Sequence, residues 1–93
     1  MAQDQRNAML SLEALTFANA RAALAQGCAA LEAGATEFDL GGVKAADSTA
    51  LALMLAWERR ARAQGRALTF ANVPANVDAL AKLYGVDGLL GRA

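Results

Sequence analysis

Hydrophobic and polar positions along this chain switch period several times, and each switch predicts an element. From Met9 to Phe17, Leu10, Leu12 and Ala14 alternate with Ser11 and Glu13, the period of a half-buried strand. Asn19 then opens an alanine-rich run to Gly34 in which Leu24, Cys28 and Leu31 fall at helical spacing. Alternation returns at Thr36 to Leu40, with Phe38 and Leu40 on one side and Glu37 and Asp39 on the other. After a loop at Gly41-Gly42, Asp47-Ser48 stands before a long helical run reaching about Gln64, which Gly65 is placed to end. Leu68 and Phe70 mark a further strand within Arg66 to Val73, closed by Pro74. Val77, Leu80, Ala81 and Tyr84 complete a short amphipathic helix stopped by Gly85. The order βαβαβα predicts an α/β fold with a small, mainly parallel sheet joined by right-handed crossovers. Its helices are free to lie on one face.

The long helix carries the most information. At 100° per residue Ala50, Met54, Trp57 and Ala61 share a charge-free arc, with Leu53 at its edge, and that arc is the expected core face. Leu51 and Leu55 fall on another arc with Glu58 and Arg62. Its first two turns, Ala50 to Trp57, are therefore apolar nearly all the way round, a profile that goes with burial on more than one side. Either neighbouring loops cover Leu51 and Leu55, or a second protein does. The same apolar surface makes a homodimer of the isolated chain an expectation to test.

Composition narrows the chemistry. Ninety-three residues allow one domain, since independent domains need at least about 50 residues each. Alanine supplies 25 of the hydrophobic residues, leaving larger side chains for one small core. The longest uncharged apolar run, Ala50 to Trp57, is far short of the ~20 residues of a membrane span. With no signal-peptide pattern at the start, a cytoplasmic location is the expectation. Nine basic and nine acidic residues balance, which argues against nucleic-acid binding by bulk charge. Arg59, Arg60, Arg62 and Arg66 read as a solvated helix end. With no histidine and one cysteine, neither a zinc site nor a Ser–His–Asp triad can be assembled, and no metal or cofactor is expected. Glu37 and Asp39 read as solvent-exposed rather than as an acid–base pair. Gly41-Gly42 with Lys44 lacks the spacing of a phosphate loop. Trp57 and Tyr84 read as core.

The segment Phe38 to Gly65, FDLGGVKAADSTALALMLAWERRARAQG, resembles the central signature of the STAS domain, the fold of bacterial anti-sigma factor antagonists. In that family a strand ends in Asp-Leu, here Asp39-Leu40, and a loop leads to Asp-Ser or Asp-Thr at the start of a leucine-rich helix, here Asp47-Ser48. The family's usual Gly after the motif is replaced, since Thr49-Ala50 follow Ser48. Leu68 to Leu90 is similar to the closing strand and helix, and its LAKLYGV, Leu80 to Val86, is similar to the MlaB-like branch. The resemblance implies a single STAS domain over residues 10–91, preceded by a flexible or edge-strand segment at 1–9. It also implies a non-catalytic regulator that binds the cytoplasmic ATPase subunit, MlaF-like, of an ABC transporter for phospholipids. Such a protein serves outer-membrane lipid asymmetry and sits in the cytoplasm with the inner-membrane complex. The family's contact surface falls here on Asp47, Ser48, Thr49, Leu51, Ala52 and Leu55. On this reading Leu51→Asp or Leu55→Asp abolishes association and leaves the domain folded. The alternative implied is an anti-sigma factor antagonist switched by phosphorylation at Ser48, which would place roughly −1.5 to −2 charge at the helix end. Ser48 has the plainer reading of a helix cap alone.

Overall fold

A computed structural model describes Leu12 and residues 14–91. The expected segment at 1–9 and much of the first expected strand, Met9 to Ser11 and Glu13, lie outside the described residues. Strand β1 (Ala14–Leu15) runs through a single 3-10 turn (Phe17–Asn19) into helix α1 (Ala20–Glu32). Strand β2 (Glu37–Asp39), strand β3 (Ala45–Ala46) and helix α2 (Thr49–Ala63) follow. Strand β4 (Thr69–Ala71), helix α3 (Ala75–Leu83) and a closing 3-10 turn (Asp87–Leu89) complete the chain. Both strand pairs are parallel: β1 with β3, Ala14 opposite Ala45, and β2 with β4, Phe38 opposite Phe70. This is the α/β architecture that the alternation predicts, with one strand more. At two residues, β3 is too short to leave a period, and it lies in what the sequence presents as a loop.

Helix ends fall where the residue types dictate. Gly34, Gly65 and Gly85 follow α1, α2 and α3 with φ of +103°, +74° and +73°, a left-handed geometry that glycine adopts without a Cβ penalty. Along β2, Phe38 is buried between exposed Glu37 and Asp39, and on β4 Phe70 is buried in register with it. The core arc of α2 also falls where the periodicity puts it, with Ala50, Leu53, Met54, Trp57 and Ala61 all buried.

Trp57 organises the centre. Its indole meets Phe38 edge-on at 5.3 Å and 81°, and Phe70 lies 6.1 Å from Phe38 and 6.5 Å from Trp57. On the opposite side the indole presses on α1 at Gly27, where a Cβ would lie 2.1 Å from Trp57 Nε1. The indole N–H donates to the Leu24 carbonyl at 3.4 Å. A bulky residue facing the tryptophan would hold the helices apart, so the buried stripe of α1 is Ala23, Gly27 and Leu31. That corrects the expected stripe of Leu24, Cys28 and Leu31: Leu24 is exposed and Cys28 half-buried, and only Leu31 is fully enclosed.

Three further readings change. Tyr84 is not core, being 59% exposed just beyond α3. The arc that Glu58 shares with Leu51, Leu55 and Arg62 is not uniform in depth: Glu58 is 7% exposed, and its Oε2 accepts the Gly91 N–H at 2.6 Å. Leu51, at 4% exposure, belongs to the core. Arg60 does pair with Glu32 at the surface, 3.3 Å apart, while Arg66 donates to the Leu31 carbonyl and so ties the start of the β4 segment to α1.

The tight α1–α2 contact yields a test. Gly27→Ala gains about 1 kcal/mol of helix propensity but drives a Cβ into a rigid, enclosed indole, which puts the overpacking cost at the upper end of its usual range, ~2–3 kcal/mol. The expected net result is a loss of about 1–2 kcal/mol in a urea unfolding curve. An unchanged or raised midpoint would show that the helices do not meet here.

Candidate functional site: the amino end of helix α2

Helix α2 starts at a cluster of groups drawn from four elements. Asp47 does the capping. Its Oδ1 accepts the Thr49 N–H at 2.8 Å and its backbone carbonyl accepts the Ala50 N–H at 2.9 Å. Ser48 already has helical backbone angles and its side chain makes no capping bond, so the cap lies one residue earlier than the plain reading of Ser48. The Asp47 carboxylate also reaches across to β1's exit, where Oδ2 accepts the Phe17 N–H at 3.3 Å. The Asp47 N–H in turn donates to the Leu15 carbonyl at 3.2 Å, extending the β1–β3 ladder.

Two asparagines fix the surroundings. Asn19 donates from Nδ2 to the Ala14 carbonyl at 2.7 Å, closing the turn that carries Phe17. Asn76, on the first turn of α3, donates to the Ala46 carbonyl at 3.1 Å and so brings α3 beside the Asp47-Ser48 step. Phe17 itself is 82% exposed, held by backbone bonds while its ring stands in solvent. Nothing in the sequence singles it out, because at the end of an alternating run it reads as one more strand residue. Asn76 leaves no signal either.

The expected contact residues divide by depth. Asp47, Ser48 and Ala52 are exposed, and Thr49 and Leu55 are half-buried. These five share one accessible region at the start of α2, whereas Leu51 points inward and supports it from beneath.

A second acidic group stands at the end of β2. Asp39 Oδ1 accepts the Gly41 N–H at 2.8 Å and an Asn72 Nδ2 hydrogen at 2.9 Å, joining the loops that leave β2 and β4. Asn72 holds φ at +56°, a region that asparagine tolerates better than most residues. The Asn72 amide, followed by the Gly41 N–H, lowers the Asp39 pKa. The Thr49 N–H is the chief cause lowering that of Asp47, with the Phe17 N–H adding to it. Among the described residues no three histidine, cysteine, aspartate or glutamate side chains gather as a metal site, and no helix is long and apolar enough to cross a membrane.

Short parallel ladders covered by helices, with an exposed capped helix start, define a small α/β domain. The family model described as "Mlab, STAS domain" matches residues 1–91, and the chain belongs to that family. A comparison with curated proteins gives no match. Family membership supports a regulatory, protein-binding role of a non-catalytic kind.

The cap assignment separates the two motif residues. Both aspartates titrate lower in the folded chain than the usual ~3.9, so each stabilises fully above that value, and the gain is lost as pH falls through the lowered folded pKa. Asp47→Ala is expected to lower the thermal midpoint at pH 7, with the gap from wild type closing below about pH 3.9. Ser48→Ala leaves the midpoint near wild type, and a larger loss from Ser48→Ala than from Asp47→Ala would contradict the assignment.

Proposed function

We propose that this chain is the regulatory STAS subunit of an Mla-type ABC transporter for phospholipids. In this reading it binds the cytoplasmic MlaF-like ATPase through the amino end of α2 and acts with the inner-membrane complex in outer-membrane lipid asymmetry. The observation that carries the reading is the match to the MlaB STAS family over residues 1–91, joined to the exposed start of α2 at the family's motif.

The physics of such a contact is specific. Ser48, Thr49, Ala52 and Leu55 offer a small, uncharged, partly apolar surface, with Asp47 engaged in its own cap and Phe17 alongside. The small side chains at Ser48 and Ala52 let a partner approach the helix backbone closely. A non-catalytic subunit changes an ATPase cycle only by binding one of its conformations more tightly than another. The contact therefore acts by shifting the ATPase toward the bound conformation.

A second reading has its own observation. The Ser48 side chain is exposed and makes no capping bond, as a phosphoacceptor requires, which suits an anti-sigma factor antagonist switched at that residue. Phosphate there would stand beside the Asp47 carboxylate and repel an acidic partner surface. Intact-mass analysis of the chain from its own cells separates the two, since only the second reading requires a phosphorylated fraction at Ser48.

The burial pattern revises which substitutions test the surface. Ala52→Arg is expected to abolish capture of the ATPase by the tagged chain while its stability stays within about 1 kcal/mol of wild type; Leu55→Asp is expected to abolish capture too, at a cost in stability because Leu55 is half-buried against the core. Leu51→Asp, which places a charge in the core, is expected to unfold the domain instead. Retention of the ATPase by a folded Ala52→Arg chain would remove α2's amino end from the contact.

A further inference from the structure

The Asp47 carboxylate has two oxygens and uses both. Oδ1 caps helix α2 at the Thr49 N–H, 2.8 Å away, and Oδ2 accepts the Phe17 N–H at 3.3 Å. That second bond reaches back 30 residues, to a turn that is itself closed twice. The Asn19 N–H donates to the Thr16 carbonyl at 3.0 Å, and the Asn19 side-chain amide donates to the Ala14 carbonyl at 2.7 Å. Phe17 is thus fixed through its backbone while its ring stands 82% exposed. Capping alone needs one oxygen, and asparagine or serine caps a helix about as well as aspartate. The second oxygen serves the turn.

We propose that Phe17 is the anchor of the α2 contact, taken by an apolar pocket on the ATPase, and that Asp47 is the positioning residue that holds it there. The proposal rests on the transporter reading and adds to it the chemistry of the partner's surface. An aromatic ring carried on a fixed turn has little freedom left to lose, so its burial acts almost wholly in favour of association. Side chains seated in desolvated pockets carry most of the energy of a protein contact. Because one carboxylate bonds both, the ring and the start of α2 form one continuous surface for the same partner.

The neighbours define what that partner presents. Ala18 follows Phe17, Ser48 and Thr49 follow Asp47, and none of the three carries a charge. The Asp47 carboxylate is turned into its own two bonds. A pocket that is apolar within and uncharged at its rim meets this surface without burying an unpaired charge.

The test is the affinity of the full-length chain for a purified Mla-type ATPase, by titration calorimetry, with the thermal midpoint of each variant alongside. Phe17→Ala is expected to weaken binding about thirtyfold or more at an unchanged midpoint, and Phe17→Leu, still apolar, to recover most of that loss. An asparagine has a single carbonyl oxygen, so Asp47→Asn keeps the cap and releases the turn, with an expected loss of about fivefold. Because Asp47 acts through Phe17, the double variant Phe17→Ala/Asp47→Asn is expected to bind no worse than Phe17→Ala alone. A folded Phe17→Ala chain that binds like wild type would overturn the anchor and leave the α2 contact standing. Wild type that does not bind the ATPase would overturn the transporter reading and this proposal together. Losses that add in the double variant would overturn the positioning role. In the isolated chain, NMR contacts from the Phe17 ring to residues 1–9, or a dimer that Phe17→Ala dissolves, would give the ring another occupant and overturn the proposal.

Discussion

Everything in this domain is arranged around one large side chain facing a residue without one. Trp57 is fully enclosed, with Phe38 edge-on to its indole and Gly27 against the ring. Burying a tryptophan contributes several kcal/mol, as the ~3–5 kcal/mol lost on truncation to alanine in other cores indicates. Helix α1 closes on the indole only because Gly27 has no side chain there. A glycine inside a helix costs about 1 kcal/mol relative to alanine, which the contact offsets. The aromatic centre in turn sets β2 and β4 in register through Phe38 and Phe70. With α2 fixed along that core, its amino end carries the Asp47-Ser48 step at the surface.

The rim where α2 begins is held by polar bonds instead of apolar contact. Asp47 links the helix start to β1's exit, and Asn76 links β3's end to α3. Asp39 and Asn72 do the same for the loops after β2 and β4. Among the described residues no buried side-chain nitrogen or oxygen lacks a partner. A surface fixed in this way loses little freedom on association, which favours binding by a preformed face.

Much of this was legible in the sequence, and the failures share a cause. The strands at Phe38 and Phe70, the core arc of α2 and the glycine stops follow from local periodicity and backbone preference. The buried stripe of α1 does not, because a helical wheel ranks Leu24 above Ala23 and Gly27. Only the size of Trp57, 30 residues away from Gly27, reverses that order. Nothing local marks Glu58 for burial, since its N–H partner is Gly91, 33 residues on, and Tyr84 looks buried until the fold leaves it uncovered beyond α3. Similarly, the motif pointed to the start of α2 as the candidate site, but the depth profile there was not visible. Leu51 and Ala52 are neighbours in sequence, and only packing decides that the first points inward and the second out. Phe17 joins the site through a backbone bond that no side-chain pattern records.

The most direct test of the account is an amide hydrogen-exchange footprint of the chain alone and bound to a purified Mla-type ATPase. Protection is expected at the start of α2, across residues 47–55, and at Phe17 on the adjoining turn, with α1's exposed face unchanged. Protection confined to α1 or to the end of α3, with residues 47–55 unaffected, would contradict the claim that α2's amino end is the binding surface.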